Sequence, residues 1–336
     1  MTSDLTTRPA APTAPVEVWF DSGGVRCSAW HVPAADDRLA TDGGRPVAVM
    51  AHGFGGTKDS GLQPFAERLA AAGIEVLAFD FRGFGASEGG PRQTVSVQRQ
   101  LEDYRAAMAA AARLPGVDAH RLVLWGASLS GGHVLAAAAG RDDVAAVVAL
   151  APLVDGRAAG RLALSHHRPS ALLRSTVDGV RSRVASARGG QPVMVPLVAR
   201  PGEVGALTLD GAYEDYLSIA GPTWRNEIDA SIALEMGSFR PAKHAADLRC
   251  PVLVQIADFD RSAPPHAAAK AAFKARAQVR HYPCDHFDVW PGHEWFEPAV
   301  EHQVHFLRRH LRPAATRDDV PGAAVRHHGS PERRTG

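Results

Sequence analysis

The stretch "LVLWGASLSGGHVLAAAAG", residues 122 to 140, begins as a buried strand and ends as an alanine-rich helix. Between the two lies a serine bracketed by small residues, Gly126-Ala127-Ser128-Leu129-Ser130-Gly131-Gly132. A strand that turns sharply into a helix through such a serine pushes its hydroxyl up from the sheet. The N-terminus of the helix then points at it. Small neighbours are needed because the turn brings backbone segments into close contact. The motif departs from G-x-S-x-G in carrying Ser130 where the second glycine stands, reading G-x-S-x-S-G-G. Taken alone, it fits a nucleophile turn or a glycine-rich helix start.

The surrounding chain narrows the choice. Eight β-like runs occur at 16–20, 25–32, 46–52, 74–80, 121–126, 144–151, 251–257 and 278–283. Most of the later ones are continuously apolar, as parallel strands covered on both faces require. Helical stripes fill the gaps. Leu62, Phe65, Ala66, Leu69 and Ala70 form one; Val97, Leu101, Tyr104, Met108 and Ala111 form a second; Val300, Val304, Leu307 and Leu311 form a third, entered at Pro298. The alternation predicts an α/β fold with a mostly parallel sheet and antiparallel strands at its beginning. Residues 156–247 break the rhythm and read as an inserted helical lid. The Thr/Pro/Ala-rich residues 1–14 and the polar tail 313–336 are expected to be disordered.

Composition excludes several classes of function. With 37 Lys and Arg against 36 Asp and Glu, no net field draws the chain to nucleic acid or to an anionic membrane. No apolar run is long enough to span a bilayer, and the N-terminus lacks a signal-peptide core. Cys27, Cys250 and Cys284 fit reduced thiols better than a disulfide framework, so cytoplasm is the expected compartment.

A serine nucleophile needs a base, an orienting acid and oxyanion donors. "AHGFGGTKDS" (51–60) follows a buried strand and offers the N–H of Phe54; Leu129 offers the other. A phosphate loop is the alternative, but "GFGG" lacks the G-x-G-x-x-G spacing and no P-loop Lys-Ser/Thr follows. "PVLVQIADFDRSAPP" ends its strand in Asp258 and Asp260, and "VRHYPCDHFDVW" carries His281 and His286. The order Ser, Asp, His is the one α/β-hydrolases use.

On "HGFGGTK" (52–58), "DFRGFGASEG" (80–89), "GASLSGG" (126–132), "DFDRSAPP" (258–265) and "HFDVW" (286–290), the chain resembles the α/β-hydrolase superfamily. More narrowly, it resembles the serine hydrolases of the peptidase S15/CocE-like or dienelactone-hydrolase-like branch. The resemblance covers about residues 45–311 and implies an eight-stranded sheet with helices on both faces. It implies Ser128 as nucleophile, Asp260, ahead of Pro264, as acid, and His286 as base. Asp258 and Asp155 are the alternative acids, His281 is structural, and His52 supports the oxyanion loop. No metal or organic cofactor is implied. His166-His167 and His302, His305 and His310 lack a completing ligand set. Cys284 reads as packing, Asp285 and Asp288 flank the base, and Trp224, Trp290 and Trp295 line a pocket or fill core. The expected activity is hydrolysis of carboxylic esters or related small acyl compounds. Acyl transfer from a thioester, peptide cleavage and a silent binding protein are the rivals, and the oligomeric state is open.

Overall fold

The computed structural model of the chain describes residues 14–166 and 169–313. The expected disordered segments therefore lie outside the described residues, except Ala14 and Pro313. Strands β1 (Val16–Ser22), β2 (Val25–Val32), β3 (Arg45–Ala51), β4 (Glu75–Phe79), β5 (Val117–Ala127) and β6 (Val144–Leu150) come first. A short ribbon, β7 (Met194–Val195) and β8 (Ile228–Asp229), precedes β9 (Val252–Ala257) and β10 (Gln278–Tyr282). Eight of these form one sheet in the order β1-β2-β4-β3-β5-β6-β9-β10. β1 and β2 pair antiparallel, as do β2 and β4; every later pairing in this sheet is parallel. All eight runs read from the sequence are these strands. β4 and β9 are buried at every residue, because a parallel strand under two helical layers has no wet face.

The helices form two packed groups. α1 (Gln63–Ala70) lies against the last helix, α9 (Phe296–Leu311), and α2 (Val97–Ala111) against α3 (Leu129–Ala138). The 3₁₀ turn Pro241–Asp247 links α3 to α8 (Pro265–Lys274). Phe65 of α1 meets Trp125 of β5 at 5.1 Å and Phe296 at 4.9 Å. The Trp125 indole N–H donates to Gln303 Oε1 at 2.9 Å, and Gln303 donates onward to Gln255 at 2.7 Å. Buried polar atoms here are thus satisfied across α9, β5 and β9.

Residues 156–247 hold α4 (Gly156–His166), α5 (Pro169–Ala187), α6 (Ala212–Ile219) and α7 (Ile232–Met236) besides the β7–β8 ribbon. This insert is tied to the body through buried Asp229. Its carboxylate accepts from Thr94 Oγ1 of the body at 3.0 Å and from Ser182 Oγ within the insert at 2.5 Å, and its N–H donates to the Gln93 carbonyl of the body at 2.8 Å. No helix among the described residues is long and apolar enough to cross a membrane.

A buried ion pair fixes the loop after β3. Lys58 Nζ reaches Asp80 Oδ2 at 2.8 Å and Ser28 Oγ at 2.7 Å, and the Lys58 N–H donates to Asp80 Oδ1 at 2.6 Å. Asp80 stands just beyond β4 and also accepts the Ala86 N–H at 3.0 Å. Both side chains are almost fully shielded from water. Removing one partner of such a pair leaves the other charge uncompensated. Lys58→Met should therefore destabilise the protein by about 3–5 kcal/mol, measured as a lower midpoint of urea unfolding.

Candidate active site

Ser128 sits alone between the end of β5 and the start of α3, with φ 54° and ψ −117°. A non-glycine residue adopts such angles only where its surroundings over-determine them. Here its N–H donates to the Leu150 carbonyl at 2.9 Å. Its own carbonyl accepts from Leu153 N–H at 2.8 Å and from Gly132 N–H at 3.3 Å. Gly126 must be glycine, because a Cβ there would run into the Ser130 backbone. A Cβ on Gly131 would sit 2.7 Å from the Pro152 side chain. The departure from G-x-S-x-G acquires a role: Ser130 is buried, and its hydroxyl donates to the His52 carbonyl.

That bond ties α3 to the loop 52–56. Gly53 lies directly on the serine, so close that a Cβ would be 2.8 Å from Ser128 Cβ and 3.4 Å from Oγ. The loop wraps around His52, whose ring stacks on Trp290 at 5.0 Å with 24° between planes. Burial pushes the His52 pKa down to about 4, so the ring is neutral at ordinary pH. On the other side, the Tyr216 hydroxyl of α6 donates to the Phe54 carbonyl at 2.7 Å. Leu129 is the first residue of α3, where a helix leaves its N–H groups without intrahelical partners.

Asp260 and His286 are brought together. His286 Nδ1 lies 2.6 Å from Asp260 Oδ2, and both side chains are buried. Asp260 Oδ1 accepts the N–H groups of Ser262 and Ala263, each at 2.7 Å, which fixes the carboxylate. Burial by itself would lower the His286 pKa, but the Asp260 charge and hydrogen bond, with help from Asp285, outweigh it and hold the pKa above its ordinary value. Asp285 accepts the His286 N–H at 2.8 Å and is clamped by Arg261 Nε at 2.6 Å; its own N–H donates to Asp288 at 2.8 Å. With Nδ1 engaged, Nε2 is the nitrogen left for proton transfer. Ser128, Asp260 and His286 all follow parallel strands, at the carboxyl edge of one sheet.

The other candidates lie elsewhere. His281 Nδ1 pairs with Asp258 Oδ1 at 2.7 Å as a second His–Asp couple, on the surface. Asp155 caps α4, accepting the N–H groups of Arg157 at 2.9 Å and Ala158 at 3.1 Å. Cys284 is buried, and burial pushes its thiol up to about 12. Trp290 is core, Trp224 stacks on Tyr216 at 5.2 Å, and Trp295 packs beside Tyr282 at 5.8 Å. His302 is half-buried and bonds the Tyr282 hydroxyl at 2.9 Å, so it leaves the solvated face on which His305 and His310 remain. His166 is exposed at the end of α4, and His167 lies outside the described residues. Among the described residues no group of three or more His, Cys, Asp or Glu is placed to hold a metal ion. The sequence reading missed Lys58, Asp80, Tyr216 and Arg261, and the bond that Ser130 makes. Lys58 and Asp80 stood inside motifs already quoted; a buried Lys–Asp pair was the reading those motifs lacked. Tyr216 carried no local signal at all.

Residues 44–284 match the family model described as serine aminopeptidase, S33. The chain is 38% identical over 301 residues to the quorum-quenching protein AidA of Acinetobacter baumannii, covering 89% of this chain and 96% of that protein. It is 35% identical over 157 residues to the thiohydrolase aneE of Aspergillus aculeatus, covering 47% of this chain and 49% of that one. The polyketide transferase grgF of Penicillium is 30% identical over 181 residues, 54% of this chain and 56% of that one. The solved structure of the α/β hydrolase GrgF superposes with a TM-score of 0.72 at 24% identity, covering 89% of this chain and 99% of that one. This superposition shows a shared fold.

Two outcomes test the assignments within the site. In Asp260→Asn, burial of His286 is no longer opposed by the full charge, so its pKa should fall, as read by NMR titration of the imidazole. In the parent protein the folded pKa lies above the unfolded one. The protonated pair therefore stabilises the fold below about pH 6.5, and this contribution disappears as pH rises through the folded value. Asp155→Ala should cost about 1 kcal/mol of stability as a lost helix cap, read from urea unfolding, and neither it nor Asp258→Asn should move the His286 titration, since neither carboxylate is among the charges acting on that ring.

Proposed function

The chain belongs to the serine aminopeptidase S33 family of α/β hydrolases, and on that premise we propose that it is a serine hydrolase of carboxylic esters or related small acyl compounds. The superfamily is the one its motifs resemble; the S15/CocE-like or dienelactone-hydrolase-like branch is a looser placement than S33. One observation carries the proposal: the buried 2.6 Å Asp260–His286 bond lies at the same sheet edge as the strained Ser128 turn. The proposed domain spans residues 15–312, with about 156–247 as its lid. Three free cysteines support a cytoplasmic location.

In this reading Ser128 Oγ attacks the acyl carbonyl while His286 Nε2 accepts the hydroxyl proton. Asp260 holds the imidazole in the required tautomer and stabilises its cation. The N–H groups of Phe54 and Leu129 receive the tetrahedral oxyanion, and the N-terminal end of α3 adds its positive partial charge. Collapse expels the alcohol, which takes the proton from His286. Water activated by the same imidazole then attacks the acyl-enzyme and releases the acid, regenerating Ser128.

A second reading, transfer of an acyl group from a thioester to an alcohol or to water, is supported by the likeness to a thiohydrolase and to a polyketide transferase. It uses the same residues and differs in the donor, a thioester that releases a thiol, and, for transfer, in the acceptor. Offering the same acyl group as ester and as thioester, with and without an added alcohol, and comparing free acid with transferred product separates the readings.

Ser128→Ala should lower kcat/KM on acyl esters by about 10⁴-fold or more and abolish labelling by a fluorophosphonate probe. A loss of only a few-fold, or undiminished labelling, would overturn the reading. A protein with no activity and no labelling in the parent would be a silent member of the fold. On the acid side, kcat/KM should rise through an apparent pKa above the ordinary histidine value, since the base must be neutral.

A further inference from the structure

The peptide that carries the Phe54 N–H is the Gly53–Phe54 unit, in a stretch whose glycines 53, 55 and 56 give it little stiffness of its own. The turn's own closing bond, Gly56 N–H to the Gly53 carbonyl, is long at 3.4 Å. Order must come from outside. Ser130 Oγ holds the carbonyl before this peptide, that of His52, and Tyr216 Oη holds the carbonyl after it, that of Phe54. The first hydroxyl comes from the nucleophile's helix. The second comes from the insert.

Tyr216 is well placed for more than packing. It is 3% exposed, its ring stacks on Trp224, and it meets the edge of Phe287, the residue after the base, at 5.6 Å. The same part of the insert is bonded to the loop again, through the Thr223 N–H to Asp59 Oδ2 at 2.9 Å. Leu197 fills the space beside Gly55, where a Cβ would lie 2.7 Å from its methyl carbon. The loop is therefore gripped by the insert along its length.

We propose that Tyr216 is a positioning residue: its hydroxyl fixes the peptide that receives the oxyanion, so that turnover depends on the insert being seated. This rests on the serine-hydrolase reading. Tyr216 touches neither the reacting carbonyl nor the base; it acts through the Phe54 backbone. Oxyanion donors act on the transition state far more than on bound substrate, so a loosened donor costs kcat and spares KM.

The test is Tyr216→Phe, which keeps the ring among Trp224, Phe287 and His52 and removes only the donor. Turnover of an activated acyl ester is measured per serine titrated with the fluorophosphonate, so that any unfolded fraction drops out. The expected result is a fall in kcat of about tenfold, below the full loss of one oxyanion donor, with KM within about twofold. The rate of phosphonate labelling should fall in parallel, because the phosphoryl oxygen occupies the same place. The acid-limb pKa should stay unchanged, since Asp260 and His286 are untouched. A kcat within twofold of the parent, or a loss expressed only in KM, would overturn the proposal. A fully inactive Ser128→Ala beside an unimpaired Tyr216→Phe would remove the positioning role alone. An active, labelled Ser128→Ala would remove the reading on which it rests.

Discussion

The candidate site depends on one backbone constraint, the left-handed conformation of Ser128 at φ 54°. A non-glycine residue held there costs about 1–3 kcal/mol. Hydrogen bonds to Leu150, Leu153 and Gly132 offset that cost. The partners explain why the turn is stable only within the assembled sheet. Leu150 ends β6, and Ala151, just beyond it, is itself at φ 40° with its N–H bonded to the Gln255 carbonyl of β9. Three adjacent parallel strands thus share the task of bending the chain at the serine. A sheet with another strand order would not bring Leu150 alongside Ala127, and the hydroxyl would lose its fixed direction.

A second constraint works from the other side of Ser128. The loop after β3 is glycine-rich where it passes Ser128, yet it is rooted immediately afterwards by Lys58 in its pair with Asp80. A buried ion pair is an expensive way to stabilise a fold compared with apolar packing. Here it does something that packing does poorly. Asp80 Oδ1 accepts the Lys58 backbone N–H while Oδ2 binds the same residue's ammonium, so one carboxylate fixes both the chain and the side chain. The register of the loop relative to β4 is then set to within a hydrogen-bond length. Directional bonds, unlike apolar contacts, resist sliding.

The strands and the sharp turn at Ser128 were legible because their signals are local. Continuous apolar runs identify doubly covered strands, and a serine among glycines between strand and helix identifies a sharp turn. Asp258 and Asp260 were harder, for a physical reason. Both stand next to a β10-side histidine of the right kind, and the structure pairs each acid with its own histidine. Asp258 still bonds in sheet register, its N–H to the Tyr282 carbonyl, and so meets His281 at the surface. Asp260 lies past the bend, where the N–H groups of Ser262 and Ala263 turn its carboxylate inward toward His286. The local residues alone left both acids open, and the resemblance singled out Asp260. The insert was the least legible part. Its strands are two residues long, and its decisive contacts, such as Asp229 with Gln93 and Tyr216 with Phe54, span more than a hundred residues.

Those long-range contacts change how the insert should be understood. The insert bonds to the body on two sides. At Asp210 its backbone carbonyl accepts from Arg261 at 3.0 Å, the same arginine that clamps Asp285 beside His286. At Tyr216 it reaches the loop on the side of Ser128. The stretch from Asp210 to Tyr216, which enters and forms most of α6, therefore spans from the support of the imidazole to the loop over Ser128. Asp210 stands just before α6 and Tyr216 within it, so displacing this stretch would loosen both contacts together. The support of the His286 loop and the order of the loop beside Ser128 are thereby coupled through one stretch of the insert.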